Sequence, residues 1–214
     1  PIFICKHCNM ESIYYRCEKC DGETEKLYYC KECKTVLEKN KCDKHGNCVG
    51  SRLKTIDIKE LWASAIKRGQ FENGIPKLVK GVRGTSNKDH SVEHLLKGIL
   101  RAKHEIYVNR DGTTRFDMTE LGITHFKPKE IGVSIEKLKT LGYEKDVYGQ
   151  EIVSKDQIIE IKVQDVILPK CLGSKDIGCD EILFRVGNFI DDLFRYLYKV
   201  ETFYNLKSKD DLIG

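Results

Sequence analysis

No apolar run in this sequence approaches the roughly 18 residues that a membrane-spanning helix requires. The opening residues, Pro1 to Cys8, also lack the basic-then-apolar order of a secretory signal. Both absences point to a soluble, cytoplasmic chain with no membrane partner. An initiating methionine is missing too: the chain starts at Pro1 and stops at Gly214, directly after the helix-like Asp210-Asp211-Leu212-Ile213, so both termini read as cuts within something larger. Neither clustered carboxylates nor an open metal site is visible, which argues against a hydrolase or nuclease with a centre of its own. What is present is 214 residues, 40% hydrophobic and 33% charged, enough for one or two globular domains plus a small metal-stapled one and incompatible with a disordered tail.

Eight of the ten cysteines lie in the first 48 residues: Cys5-x2-Cys8, Cys17-x2-Cys20, Cys30-x2-Cys33, then Cys42 and Cys48 around His45. A two-residue gap lets both thiolates and the intervening amides curl around one tetrahedral ion, and two such knuckles close a site. Cys5, Cys8, Cys17 and Cys20 make the first set. Cys30, Cys33, Cys42 and His45 make the second, because Cys42-x2-His45 repeats the knuckle and Gly46 follows it as Gly22 follows Cys20; Cys48 is the alternative fourth ligand. Closed four-ligand sites leave no position for water, so the expected metal is two structural zinc ions. A disulfide framework would need an oxidising compartment that nothing here supports. Cys171 and Cys179 read as ordinary thiols, and His90 and His94, one helical turn apart without a third ligand, as a solvated helix face.

Beyond the knuckles, Ile58, Leu61, Trp62, Ala65 and Ile66 repeat at helical spacing, with Asp57 as N-cap, Glu60 three residues on and Gly69 as the stop. Between Lys77 and His104 stand seven basic residues against Asp89 and Glu93, a local excess of +5 in a chain whose total is +4. The run Lys80-Gly81-Val82-Arg83-Gly84-Thr85-Ser86-Asn87-Lys88 has the glycines, hydroxyls and cations of a loop that can approach phosphates. Lys80, Arg83, Lys88, Lys97, Arg101 and Lys103 are therefore the expected DNA-binding residues; a solvated basic loop is the competing reading. A β-hairpin is predicted from Ile106 to Met118 around Asp111-Gly112. Past Pro128, Val133 and Leu138 staple a helix capped by Ser134 and closed by Gly142. A β-rich stretch follows from Ile158 to Leu168, and Ile182, Leu183, Val186, Phe189, Ile190, Leu193, Phe194 and Leu197 form the longest amphipathic helix. The fold class is α+β with zinc ribbons appended.

Taken together, Val79 to Ser86, Lys97 to Lys103, Asp111 to Asp117, Ile123 to Ser134, Glu136 to Tyr143, Gln164 to Pro169, Phe203-Tyr204-Asn205 and Asp211 to Gly214 closely resemble the large subunit of the archaeal D-family DNA polymerase, over nearly the whole chain. The resemblance implies an internal fragment of a DNA-directed DNA polymerase in replication, built on a mixed, double-psi-like β-barrel region, with DNA and a small exonuclease subunit as partners. It also implies nucleotidyl transfer with two Mg2+ held by aspartates of an Asp-Gly-Asp segment. No Asp-x-Asp occurs in these 214 residues, so no catalytic residue is assigned. The implied organisation is tandem zinc-binding ribbons over 1–50, a helical and basic-loop segment over 51–104, a β-rich part of the core over 105–170, and a helical segment over 171–214 leading towards the catalytic region. Two departures from the family pattern are His45 in place of a usual cysteine and a rearranged stretch from Cys171 to Asp180. A stand-alone zinc-ribbon module that binds nucleic acid or bridges proteins would fit the charge and cysteines equally well.

Overall fold

The computed structural model describes residues 1–71, 74–81, 92–109, 113, 122–163, 165–167 and 177–211. The chain divides into two units, one of Pro1–Thr114 with Asp192–Thr202 and one of Arg115–Asp191 with Phe203–Gly214.

In the first unit the residues of the first strand alternate in burial, as a half-buried strand should. Strand β1 (Phe3–Cys5) buries Phe3 and Cys5 and pairs antiparallel with β2 (Glu11–Ser12) and β3 (Thr24–Lys26), with Phe3 opposite Ser12 and Cys5 opposite Thr24. Two further ribbons follow, β4 (Tyr28–Cys30) with β5 (Thr35–Leu37), and β6 (Lys41–Cys42) with β7 (Gly46–Asn47). Tyr29 and Val49 exchange backbone hydrogen bonds of 2.7 and 3.0 Å, which returns the end of the ribbon region to β4. Strands of two or three residues bury little, so this region needs a staple other than its core.

Helix α1 (Ile58–Arg68) starts as its sequence dictates: the Asp57 carboxylate accepts from the amides of Lys59 and Glu60 at 2.9 and 3.1 Å. Of its apolar stripe, Ala65 is buried, Leu61, Trp62 and Ile66 are half-buried, and Ile58 is exposed. The helix stops at Gly69, where an added Cβ would lie 2.2 Å from the Phe71 ring and 2.9 Å from Leu96; the residue that ends the helix is also the one that lets a second helix approach. That second helix, α2 (Leu95–Lys103), packs against α1 and against Leu193–Tyr198, burying Leu96, Ile99 and Leu100 completely. Asn109 donates to the Thr113 carbonyl at 2.9 Å, closing a turn where the hairpin is expected; its residues 110–112 and 114–118 lie outside the described residues.

In the second unit, β8 (His125–Phe126) pairs antiparallel with β9 (Ile159–Glu160). Pro128 does more than break the chain: it opens the one-turn helix α3 (Pro128–Ile131), where its missing N–H costs nothing. Helix α4 (Ile135–Thr140) carries the Ser134 cap, accepting from the Lys137 amide at 3.1 Å, and ends before Gly142 at φ 83°. Phe126, Val133, Leu138, Tyr143, Ile152 and Ile159 form the core, with Phe126 and Tyr143 edge-to-face at 5.9 Å. The expected barrel is corrected here: among the described residues the β-rich region is a two-stranded pair with short helices, and no barrel closes.

Helix α5 (Cys179–Asp192) is the longest, as expected, but it does not run on as an α-helix to Leu197. From Leu193 to Tyr198 the backbone is π-helical and ends at Lys199 in the left-handed region, φ 56°. The hydrophobic spacing could not distinguish the two, because a single register slip keeps Leu193 and Leu197 buried. Among the described residues no helix is long and apolar enough to cross a membrane.

Candidate metal centres and basic surface

Three of the four knuckles share one local geometry. The residue after the second cysteine, Asn9, Asp21 or Lys34, sits at a φ of 55–60° and donates its amide to the carbonyl of the first cysteine at 2.9–3.1 Å. In the fourth, Gly46 takes that place at φ 79°. This turn points successive amides at the first sulfur of each knuckle. The largest influence on Cys5 is the Cys8 amide, on Cys30 the Cys33 amide, and on Cys42 the Lys44 amide, and each lowers the thiol's pKa, Cys5 to about 6.

The knuckles converge in two groups whose donor atoms lie within 4.8 Å of one another: Cys5, Cys8, Cys17 and Cys20, and Cys30, Cys33, Cys42 and His45. In the first, Cys5 and Cys20 sulfurs are 3.4 Å apart and Cys8 and Cys17 sulfurs 3.6 Å. Four thiolates on a tetrahedral ion at about 2.3 Å would stand roughly 3.8 Å apart, so little adjustment separates this arrangement from a coordination shell. Gly22 is the close wall: a Cβ there would lie 3.0 Å from the Cys5 sulfur and 3.3 Å from that of Cys20. In the second group His45 Nδ1 lies 3.0, 3.7 and 3.8 Å from the sulfurs of Cys33, Cys30 and Cys42. Cys48 falls outside that group, its thiol 3.8 Å from the Gly46 carbonyl, and burial together with the neighbouring Cys30 and Cys42 raises its pKa.

The protonation of these sulfurs is mutually limiting. Burial pushes the Cys17 thiol up to about 12, and the Cys30 and Cys42 side chains push Cys33 up to about 11. A cation among these sulfurs would favour their thiolate forms, and both donor sets could hold a metal ion.

The basic residues are placed unevenly. Arg101 is turned inward, buried against the Glu93 carboxylate and 3.4 Å from the Lys80 carbonyl. Lys103 binds the buried Asp192 carboxylate at 2.7 Å, as does His104 Nε2 at the same distance. Burial opposes ionisation of Asp192, but these two partners outweigh it and hold its carboxyl below the usual range. Lys80, with its ammonium over the Tyr107 ring at 5.7 Å, and Lys97 remain at the surface side of α2. Arg83, Lys88, His90 and Cys171 lie outside the described residues; Cys179 is half-buried at the start of α5.

His94 corrects its expectation outright. Instead of a solvated helix face, it is the N-cap of α2, its Nδ1 accepting from the Leu96 amide at 3.1 Å while the ring packs at a tilt against Tyr14, centroids 4.3 Å apart. Its Nε2 faces Arg68 at 3.1 Å, and burial, then the Arg68 charge, push its pKa down to about 3. Arg68 in turn donates to the carbonyl of the metal-group residue Cys17 at 2.9 Å and pairs with Asp21. Histidine is not among the usual capping residues, so local sequence carried no signal for this role. Asp191 was likewise missed: buried at the end of α5, it accepts from the amides of Phe203, Tyr204 and Asn205 at 2.9, 2.9 and 2.6 Å and so positions that tripeptide.

Two comparisons with known proteins bear on this geometry. Residues 72–214 match the family described as "DNA polymerase II large subunit DP2, catalytic domain". The chain belongs to that family. It is 47% identical over 212 residues to the DNA polymerase II large subunit of Archaeoglobus fulgidus, covering 98% of this chain and 18% of that protein. The protein of that name from Nanoarchaeum equitans is 40% identical over 249 residues, covering 100% of this chain and 20% of its own length, and that from Methanocorpusculum labreanum is 37% identical over 214 residues, 98% and 18%. The chain thus spans about a fifth of the length of the curated relatives it matches. Both candidate metal-ligand groups fall before residue 72, ahead of the matched domain but within the aligned span of these relatives.

Proposed function

We propose that this chain is part of the large subunit of an archaeal DNA-directed DNA polymerase, where it braces the nucleotidyl-transfer core during replication and holds DNA by its phosphates. The observation that carries the reading is the match to DNA polymerase II large subunits along 98–100% of the chain. Two structural zinc ions are the proposed cofactors. The donor sets, four sulfurs in one group and three sulfurs with one imidazole nitrogen in the other, suit zinc far better than a hard cation such as Mg2+, and their closure leaves no open position for substrate. His45 is the proposed fourth ligand of the second ion. Mg2+ would supply charge neutralisation for phosphoryl chemistry in the complete enzyme. The residues of this chain do not include the Asp-Gly-Asp expected to hold it, and none is given a catalytic role. The small exonuclease subunit is the proposed protein partner.

DNA contact is proposed at Lys80, Arg83, Lys88 and Lys97. Arg101 and Lys103 act indirectly, since their charges are already committed to Glu93 and Asp192. Contacts with phosphates carry no sequence information and release counterions, so duplex binding should be indifferent to sequence and weaken steeply with salt. Replacing Arg83 and Lys88 with alanine should lower affinity equally for unrelated duplexes and reduce the salt slope by about one unit for each phosphate no longer neutralised. Unchanged affinity and slope in that variant would remove the loop from the DNA path.

A further inference from the structure

Beside the first metal group lies a cleft of about 380 Å³, lined by Tyr14, Tyr15, Arg16, His94, Lys97 and Tyr198. The first three come from the ribbon, His94 and Lys97 from the start of α2, and Tyr198 from the last residue of the π-helical segment. All belong to one unit. Each wall has a structural reason to be where it is. The floor is the Tyr14–His94 pair, tilted rings with centroids 4.3 Å apart, fixed by the helix cap and by Arg68. Tyr15 leans on the buried Phe3 ring at 4.7 Å and is 52% exposed. The π-helical segment buries Leu197 and turns the adjacent Tyr198 out to the rim, 42% exposed.

The charges facing the cleft are unbalanced. Arg16 uses one guanidinium nitrogen on the Asp21 carbonyl at 3.1 Å, a bond that leaves its charge intact, and Lys97 adds a second cation. Glu93 also lines the cleft, but its carboxylate is engaged by the buried Arg101. His94 contributes no charge, because its neutral form is enforced by burial and Arg68. Flat aromatic faces interleaved with cations, in a cleft near the small end of the roughly 300–1,000 Å³ range of small-ligand sites, suit one unpaired nucleotide at a time rather than a duplex.

We propose that this cleft is a single-stranded nucleic-acid site, in which an unpaired base stacks against Tyr15 and Tyr198 and its phosphates meet Arg16 and Lys97. The inference rests on the DNA-binding reading above and adds a strand-state preference and a place. Stacking is sequence-tolerant, since every base has a π face, so the site takes unpaired strand of any sequence.

The test uses the zinc-loaded 214-residue chain, a fluorescein-labelled oligothymidylate and a duplex of equal length, at one fixed salt concentration. Tyr15→Ala combined with Tyr198→Ala should weaken oligothymidylate binding about tenfold or more, the scale of lost base stacking, while duplex affinity changes less than about twofold. The corresponding double phenylalanine variant should bind as the parent does, which separates ring stacking from folding. Photocrosslinking of an iodouracil-substituted oligonucleotide should map to Tyr15 or Tyr198. Parental binding by the double alanine variant, with crosslinks elsewhere, overturns the proposal. If duplex binding still falls in the Arg83→Ala, Lys88→Ala variant, the DNA reading survives and only this cleft is withdrawn, leaving it to a protein partner. If the parent chain binds neither strand nor duplex, both readings fall together.

Discussion

Gly22 is held to its identity by sulfur. A methyl group there would crowd the Cys5 and Cys20 sulfurs at 3.0 and 3.3 Å, and once a metal fixes both thiolates neither can give way cheaply. Gly22→Ala should therefore lower metal affinity of the first site about tenfold, an effect typical of groups that position ligands. Competition with a chromophoric chelator measures it, and the second site should be unaffected. Asp192 offers a second residue-scale test. Its carboxyl is held below the usual range, so the stability it contributes is present above the ordinary carboxylate pKa near about 3.9 and is lost as pH falls through the lower folded value. Asp192→Asn should cost about 1–2 kcal/mol at neutral pH, allowing for the partial exposure of Lys103, and much less in strong acid. Urea midpoints measured across pH would read the convergence; parallel curves would refute it.

At the scale of elements, the ribbons and the helices behind them are unequal partners. Strands of two or three residues cannot hold themselves, so chelation should expose protease sites within residues 1–50 that close again when zinc is restored. The effect should reach further on one side. The Cys17 carbonyl is held by Arg68, Arg68 faces His94, and His94 caps α2, so loss of the first metal should accelerate hydrogen exchange at Leu96 and the following turn. Helix α4, capped by its own Ser134, supplies the internal comparison, and equal acceleration there would mean general unfolding instead. Much of this layer was legible beforehand: Asp57, Ser134 and the two-residue cysteine gaps act within a few residues of themselves. The π-helical turn was not, because hydrophobic spacing tolerates one extra residue per turn without exposing Leu197.

For the whole molecule, the missing Asp-x-Asp has a direct consequence. With Mg2+, primed template and nucleotides, this chain should not extend a primer, alone or with the proposed small exonuclease subunit; measurable template-directed extension would show that carboxylates other than an Asp-Gly-Asp pair can hold the ions. The basic excess of +5 between Lys77 and His104 marked this part of the sequence for phosphate contact. Folding then divided it. Arg101 and Lys103 went to internal carboxylates contributed from residues 8 and 89 positions away, while Lys80 and Lys97 stayed outward.

The sequence alone therefore determined what depends on near neighbours: the cysteine knuckles that the fold gathers into two candidate metal groups, the capped starts of α1 and α4, and the resemblance that names the family. It could not determine which cations remain available, that Tyr14, Tyr15 and Tyr198 line one cleft, or that His94 caps a helix beside a candidate metal group. Those outcomes depend on partners far apart in the chain, Cys17 with Arg68, Tyr14 with His94, Lys103 with Asp192. No local pattern encodes such pairs, because the desolvation and charge neutralisation that select them arise only when the tertiary fold brings them together.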